Sequence, residues 1–234
     1  KDNGVVGCVV RLNDMNGGHH MDKAFSKLWD KAKIFPARTI YFVYNPWVDG
    51  AANWKFLKDN KPADMPKRFS VDVEVKYPNY SAKTYGEQVS VFIDLARKAG
   101  YEPFIYTGQW FLEYLTKWRK DVDYWWARYP YSMMPVYQTW DEYHVVFDDA
   151  KWSADPLAKC PGTVKLWQCA DSWKLPGSAP HPIDINLWNG TAEELVAWIG
   201  GKQPKWYENM TLDEIITVLK AHPECNDWQL ESKG

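Results

Sequence analysis

Phe69-Ser70-Val71-Asp72-Val73-Glu74-Val75 alternates apolar and polar side chains over the length of a strand, with valine at three of its seven places. Side chains on a strand repeat every two residues, so Asp72 and Glu74 share one face and Val71, Val73 and Val75 the other. Two readings are open for such a stretch. An edge strand wetted on one side tolerates it. So does the end of a strand inside an enzyme barrel, where two close carboxylates repel and one keeps its proton near neutral pH. Its neighbours decide between them.

Upstream, Val5–Arg11 (VVGCVVR) reads as a buried strand, followed by the turn-rich Asn13-Asp14-Met15-Asn16-Gly17-Gly18. Residues 22–33 have helical spacing, with Phe25, Leu28, Trp29 and Ala32 on one face, and Pro36 ends them. Residues 39–44 (TIYFVY) form a second buried strand, and 51–58 a short helix. Downstream, 81–99 is the clearest helix, its stripe Val89, Phe92, Ile93 and Ala96 ending at Gly100. A strand at 102–107, a helix at 110–118 and a strand at 123–129 follow. Two more strands, 163–170 and 182–188, have no long helix between them, and Thr191-x-x-Glu194 caps a last helix to residue 199. Strands alternating with helices imply a parallel sheet with right-handed crossovers, and their number favours a closed barrel. In such a barrel, polar residues at strand C-termini mark the active site.

The 234-residue chain is long enough for one sizeable core. Its hydrophobic fraction of 46% argues against disorder, and a formal charge of −2 offers no basic surplus for nucleic acid. Fifteen Trp and fourteen Tyr exceed what a core needs, and such rings stack on pyranose faces in sugar-binding clefts. Cysteines at 8, 160, 169 and 225 lack metal-type spacing, leaving free thiols and disulfides both open. His19-His20 has no carboxylate or Cys at ligand spacing, so the pair is expected to face solvent, with no metal and no cofactor. No apolar run approaches the roughly 18 residues of a membrane span. The start, Lys1-Asp2-Asn3-Gly4, lacks the order of a signal peptide. That leaves phage-type release at lysis, or a processed secreted chain.

Gly200 to Pro204 reads as a hinge, and residues 211–221 as a short amphipathic helix with Leu212, Ile215, Ile216 and Leu219 on one side. The expected organisation is a barrel over 1–200, then a linker and short helical tail over 201–234, too small for a core of its own.

A second acidic strand is Ile183-Asp184-Ile185-Asn186-Leu187, where Asp184 and Asn186 share a face. Two strands with acid on one face and aliphatics on the other point to carboxylates converging on one pocket. With these residues in view, the chain resembles the glycoside hydrolase family 25 lysozymes, the N-acetylmuramidases of bacteria and phage endolysins. Val71-Asp72-Val73-Glu74 resembles the family's D-x-E strand, and Tyr106-Thr107 its Y-T. Trp125-Trp126-Ala127-Arg128-Tyr129 resembles its W-x-A-x-Y, Leu166-Trp167-Gln168 its W-Q, and Ile183-Asp184-Ile185-Asn186 its final D-x-N. The resemblance spans about residues 4 to 200, and its specificity lies in the order and spacing of the pieces.

The resemblance implies an α/β fold, an irregular TIM-like (β/α)5(β)3 barrel. It also implies hydrolysis of the β-1,4 bond between N-acetylmuramic acid and N-acetylglucosamine in bacterial cell-wall peptidoglycan, by a monomer acting outside the membrane. On it, Glu74 is the general acid, with Asp72 and Asp184 as ionised supporting carboxylates. Tyr44, Tyr106, Trp125, Tyr129 and Trp167 are the implied sugar contacts, Gln168 and Asn186 hydrogen-bond partners, and Arg11 a basic residue at the end of its strand. The family's chain normally opens with a further strand bearing a catalytic Asp, and no Asp here stands at that place. The expectation is either a preceding piece or another segment that closes the seam. Two other functions fit less well. A non-catalytic wall-binding barrel would keep the aromatic cleft. A chitinase-like hydrolase also uses D-x-E, but Pro66 to Ser70 lacks the further acids its strand usually carries.

Overall fold

The computed structural model describes residues 5–15, 18–79, 81–129, 159–173, 183–200 and 229–233. Seven strands curl around a common axis: β1 (Val5–Arg11), β4 (Ala37–Val43), β5 (Arg68–Asp72), β6 (Glu102–Gly108), β7 (Asp123–Ala127), β8 (Thr163–Trp173) and β9 (Ile183–Trp188). The two-residue strands β2 (Asn13–Asp14) and β3 (His20–Met21) form a separate ribbon. Neighbouring strands from β1 through β4 to β8 pair in parallel, whereas β9 runs antiparallel to β8.

An eighth strand, β10 (Gln229–Lys233), closes the ring, parallel to β9 and antiparallel to β1. The seam expected between the first and last strands is therefore filled from the far end of the sequence. The helix expected over 211–221 lies outside the described residues.

Helices α1 (Phe25–Lys31), α2 (Gly50–Asn60) and α3 (Ala82–Lys98) sit on the outside of the barrel. Each start has a local cause where a cap exists: Asp49 accepts from Ala52 N and Ser81 from Thr84 N. Val89, Phe92, Ile93 and Ala96 of α3 are buried, as their spacing predicts. Phe92 is the hub of this outer layer. Its ring stacks on Phe42 at 5.4 Å and meets Tyr44, Trp54 and Phe69 edge-on at 6.0 to 6.2 Å. Helices α2 and α3 touch closely because Gly50 has no side chain: a Cβ there would stand 2.1 Å from the Gln88 carbonyl oxygen.

The fourth helix, α4 (Ala192–Ile199), differs. It opens with the full capping box between Thr191 and Glu194 and ends on Gly200 at φ +82°. Leu195, Val196 and Ile199 pack with Val9, Ala37, Phe104 and Trp188, residues of the barrel's inner layer. Trp198 lies 4.8 Å from Phe104, donates to Asp123 Oδ2 at 2.9 Å, and carries the Arg68 guanidinium over its ring. Since these contacts fall at the first residues of β4 to β7 and the last of the reversed β9, α4 plugs the N-terminal mouth. The C-terminal mouth is where a site can form.

Two expected elements are shorter or tighter. The strand of Asp72 ends at Asp72 rather than Val75. The helix expected over 110–118 is a 3-10 turn, Gln109–Tyr114. With three residues per turn, Phe111 and Tyr114 fall on one side and their rings stack at 5.1 Å.

Gly50→Ala should cost roughly 1–3 kcal/mol, because the obstructing atom is backbone and the helices must part. A chemical-denaturation midpoint measures this. Ending the chain before Gln229 should lower the melting temperature and promote aggregation, since β1 and β9 each lose a paired edge.

Candidate active site

Alternation along the barrel strands sorts the candidate residues into two layers. Val71 and Val73 face outward into the layer containing Phe92. Ser70 and Asp72 take the opposite parity, on the face that holds Tyr106 and Trp125 of β6 and β7. Asp72, Tyr106 and Trp125 also lie in register across three adjacent strands.

The segment bearing both acids is clamped beyond its last sheet residue. Asp72 O accepts from Tyr44 N, and Val73 N donates to Tyr106 O, each at 2.9 Å. Val73 O accepts from Thr107 Oγ1 and Val75 O from the Tyr85 hydroxyl, again at 2.9 Å. Lys76 then lies over the Tyr114 ring. Glu74 therefore sits on a fixed stalk at the rim, although no sheet pairing extends to it. The sequence names Thr107 only as part of the Tyr106-Thr107 piece, without a role, and does not point to Tyr85. Their signal is faint, because a hydroxyl that bonds a backbone carbonyl looks in sequence like any other.

Asp72 is 6% exposed, and its Oδ1 has no hydrogen-bond partner among the described residues. Burial pushes its carboxyl well above the usual range, the negative charge of Glu74 pushes it further, and Arg11 opposes both. Burial also raises Glu74, which is only half-buried. The expectation that Asp72 stays ionised is thus not what its surroundings favour. The two acids together hold a proton more tightly than either would alone. Arg11 is itself gripped, its Nε donating to Asp22 Oδ2 at 2.7 Å, while Asp22 Oδ1 accepts from Ala24 N.

Across the mouth stand the residues of β6 to β9. Gln168 Oε1 accepts from the Tyr106 hydroxyl at 2.8 Å and the Tyr129 hydroxyl at 3.0 Å. Trp125 Nε1 donates to Asn186 Oδ1 at 2.7 Å, and the Tyr106 and Trp125 rings meet at 4.7 Å. Because β9 runs backwards, its second residue, Asp184, lies at the same end as the last residues of β8. Burial, then the charges of Glu74, Asp72 and Asp184, hold the Tyr106 hydroxyl far above the ordinary phenol range. Tyr129 is raised by burial and by Asp171, Asp184 and Glu74. Both tyrosines thus sense Glu74 and Asp184 together.

Two candidates fall elsewhere. Tyr44 is fully buried in the outer layer, 5.8 Å from the Tyr85 ring. Trp167 belongs to that layer too, its Nε1 donating to Arg128 O at 2.6 Å. His19, expected to face solvent, is half-buried instead. It stacks on Phe56 at 4.5 Å, pairs with Asn53 and Asn13, and burial lowers its pKa. Among the described residues no group of three or more His, Cys, Asp or Glu is placed to hold a metal ion.

The model of glycosyl hydrolases family 25 matches residues 1–177. The uncharacterized protein YegX of Escherichia coli K12 is 26% identical over 206 residues, which cover 86% of this chain and 66% of YegX. The chain thus spans just under two thirds of the length of that relative. Among solved structures, GHIP, a glycosyl hydrolase 25 of Streptococcus pneumoniae, superposes with a TM-score of 0.55 at 17% identity, over 83% of this chain and 82% of that one. The spore cortex lytic enzyme SleM of Clostridium perfringens gives 0.53 at 16% identity, over 72% and 55%. A family 25 glycosyl hydrolase from Bacillus anthracis gives 0.50 at 18% identity, over 76% and 84%. At these identities the structural likeness concerns the fold.

The raised acids carry a stability cost with a defined sign. A carboxyl whose folded pKa is raised favours folding fully below its unfolded pKa, and that contribution is lost as pH rises through the folded value. Asp72→Asn should therefore raise the melting temperature at pH 7 and change it less at pH 4. Thermal unfolding at the two pH values checks this, and an equal shift at both would contradict the direction assigned to Asp72.

Proposed function

The chain belongs to glycosyl hydrolases family 25, and on that premise we propose that it is a peptidoglycan hydrolase acting on the glycan strand. The bond cut is the β-1,4 link between N-acetylmuramic acid and N-acetylglucosamine. The observation that carries this reading is the acid pair at the C-terminal mouth: Asp72 almost fully buried, Glu74 half-exposed, and both raised.

In this reading Glu74 is the general acid, since of the two it is the one a bound sugar can reach. Its proton passes to the glycosidic oxygen as the bond to the anomeric carbon breaks, and water, attacking directly or after the substrate's own N-acetyl oxygen, gives that carbon its hydroxyl and returns a proton to Glu74. Burial holds the Glu74 carboxyl above its usual range, and Asp72 behind it is raised as well, so the pair keeps a proton and resists carrying two negative charges. Once Glu74 has given up its proton, the Arg11 guanidinium, held in place by Asp22, offsets part of the negative charge at the mouth. Asp184, from the opposite wall, steadies the positive charge that grows on the sugar ring or orients its N-acetyl group. Tyr106 and Tyr129, fixed through Gln168, and Trp125, fixed through Asn186, line the floor and hold their hydroxyl and indole groups in place before substrate arrives.

The partner is cell-wall peptidoglycan outside the membrane, and the chain works as a monomer without cofactor. No helix among the described residues is long and apolar enough to cross a membrane. The fixed polar groups around the acid pair favour chemistry over simple wall binding, which has no use for a buried acid raised by a neighbouring one.

Glu74→Gln should lower the rate of cell-wall clearing roughly 10²–10⁴-fold while wall binding persists. Turbidity loss of purified Gram-positive walls, followed beside a wall-pelleting assay, tests this. Equal clearing by both proteins would remove Glu74 from the acid role.

A further inference from the structure

Among the described residues the large exposed apolar side chains are Trp47, Trp110 and Val91, at 54%, 45% and 39%. Val91 lies on α3, outside the barrel. The two tryptophans stand at the catalytic mouth. Trp47 follows the end of β4 and Trp110 the end of β6, the strands on either side of β5 with its acids. They thus stand on the loops to either side of Asp72 and Glu74.

Exposed indoles on loops are normally free to move, but here both are held. The turn carrying Trp47 is stitched to α2 by Asn53, whose Oδ1 accepts from Asn45 N at 2.8 Å. Its Nδ2 donates to the carbonyls of Asn45, Val48 and Asp49. Asn45 Oδ1 in turn accepts from Trp47 N at 2.8 Å. The ring itself meets Tyr77 edge-on at 5.3 Å, and Tyr77 lies three residues after Glu74. On the other side the Trp110 ring is laid over Gly108, where a Cβ would come within 2.3 Å of it. It lies 6.2 Å from Tyr129, which is fixed by Gln168. A large apolar face kept in water at fixed orientation loses little entropy when it binds, as contact aromatics of binding surfaces do.

We propose that the Trp47–Tyr77 and Trp110–Tyr129 pairs are two glycan-binding platforms flanking the bond that is cut, so that the enzyme grips an extended strand on both sides of it. This rests on the reading of Asp72 and Glu74 as the catalytic end. The ligand is a chain of amino sugars, because each platform offers a flat apolar ring beside a phenol hydroxyl. Pyranose rings present C–H faces to the one and hydroxyl or amide edges to the other. A short saccharide held at the acids reaches at most one platform, while a long strand reaches both. The platforms therefore determine preference for chain length and leave the chemistry to the acids.

The test uses the Glu74→Gln protein, which holds substrate without turning it over, and isothermal calorimetry with stem-free peptidoglycan glycans. Trp47→Ala and Trp110→Ala should each weaken binding of long strands roughly three- to tenfold and of the disaccharide far less. Val91→Ala should change neither. Unfolding midpoints equal to the parent's are expected, since both rings are exposed. Long-strand affinity that is unchanged in both variants, or no glycan binding by the parent, would overturn the proposal. Cleavage by the protein without the Glu74 change is read separately. Strand binding that depends on both tryptophans, without cleavage, would refute the hydrolase reading and leave the platforms standing. Cleavage with binding indifferent to both would do the reverse.

Discussion

Two carboxyl groups held close together, one buried and one at the rim, are the constraint on which the rest of the mouth depends. Asp72 and Glu74 would separate or ionise freely on a mobile loop. They do neither, because the chain from Asp72 to Val75 is tied to Tyr44, Tyr106, Thr107 and Tyr85 by four hydrogen bonds near 2.9 Å. Those ties come from β4's end, β6 and α3, so the position of Glu74 reports on the packing of both the sheet and the outer helix layer. The stability given up at the acids is recovered in that layer, where Phe92 gathers Phe42, Tyr44, Trp54 and Phe69.

The barrel separates two jobs by the parity of its strands. Outward residues are almost all apolar and hold the helices. Inward residues change character along the axis: Val9, Ala37 and Phe104 meet α4 at one end, and Asp72, Gln168 and Asn186 crowd the other. With α4 filling the N-terminal mouth, polar groups that need a partner from outside have one direction open. The closure by β10 matters for the same reason. It pairs both remaining strand edges, so the rim near Asp184 is held on both sides rather than frayed.

Much of this was legible in order and period alone. The alternation through Asp72, the stripe on α3 and the Thr191 capping box appear where their spacing puts them. The same two-residue rule, applied throughout, would have separated Trp167 from Gln168, since neighbours on a strand cannot share a face. Tyr44 shares its parity with Phe42 and Ile40 and follows them into the outer layer. Trp47 and Trp110 escaped notice because they sit in turns, where no period says which way a ring points. The Asn53 network that fixes Trp47 spans residues with no pattern between them.

The amino-acid order by itself determined the alternation of strands and helices from β1 to α4, and that acids recur on single faces of two strands, because those properties follow from neighbours a few positions apart. The tertiary structure decided the rest. It brought Asp184 to the mouth of Asp72 by reversing β9, closed the ring with residues 229–233, and buried Asp72 deeply enough to change its affinity for a proton. Each of these depends on what lies across the barrel, and the distance across a barrel is not written in local spacing.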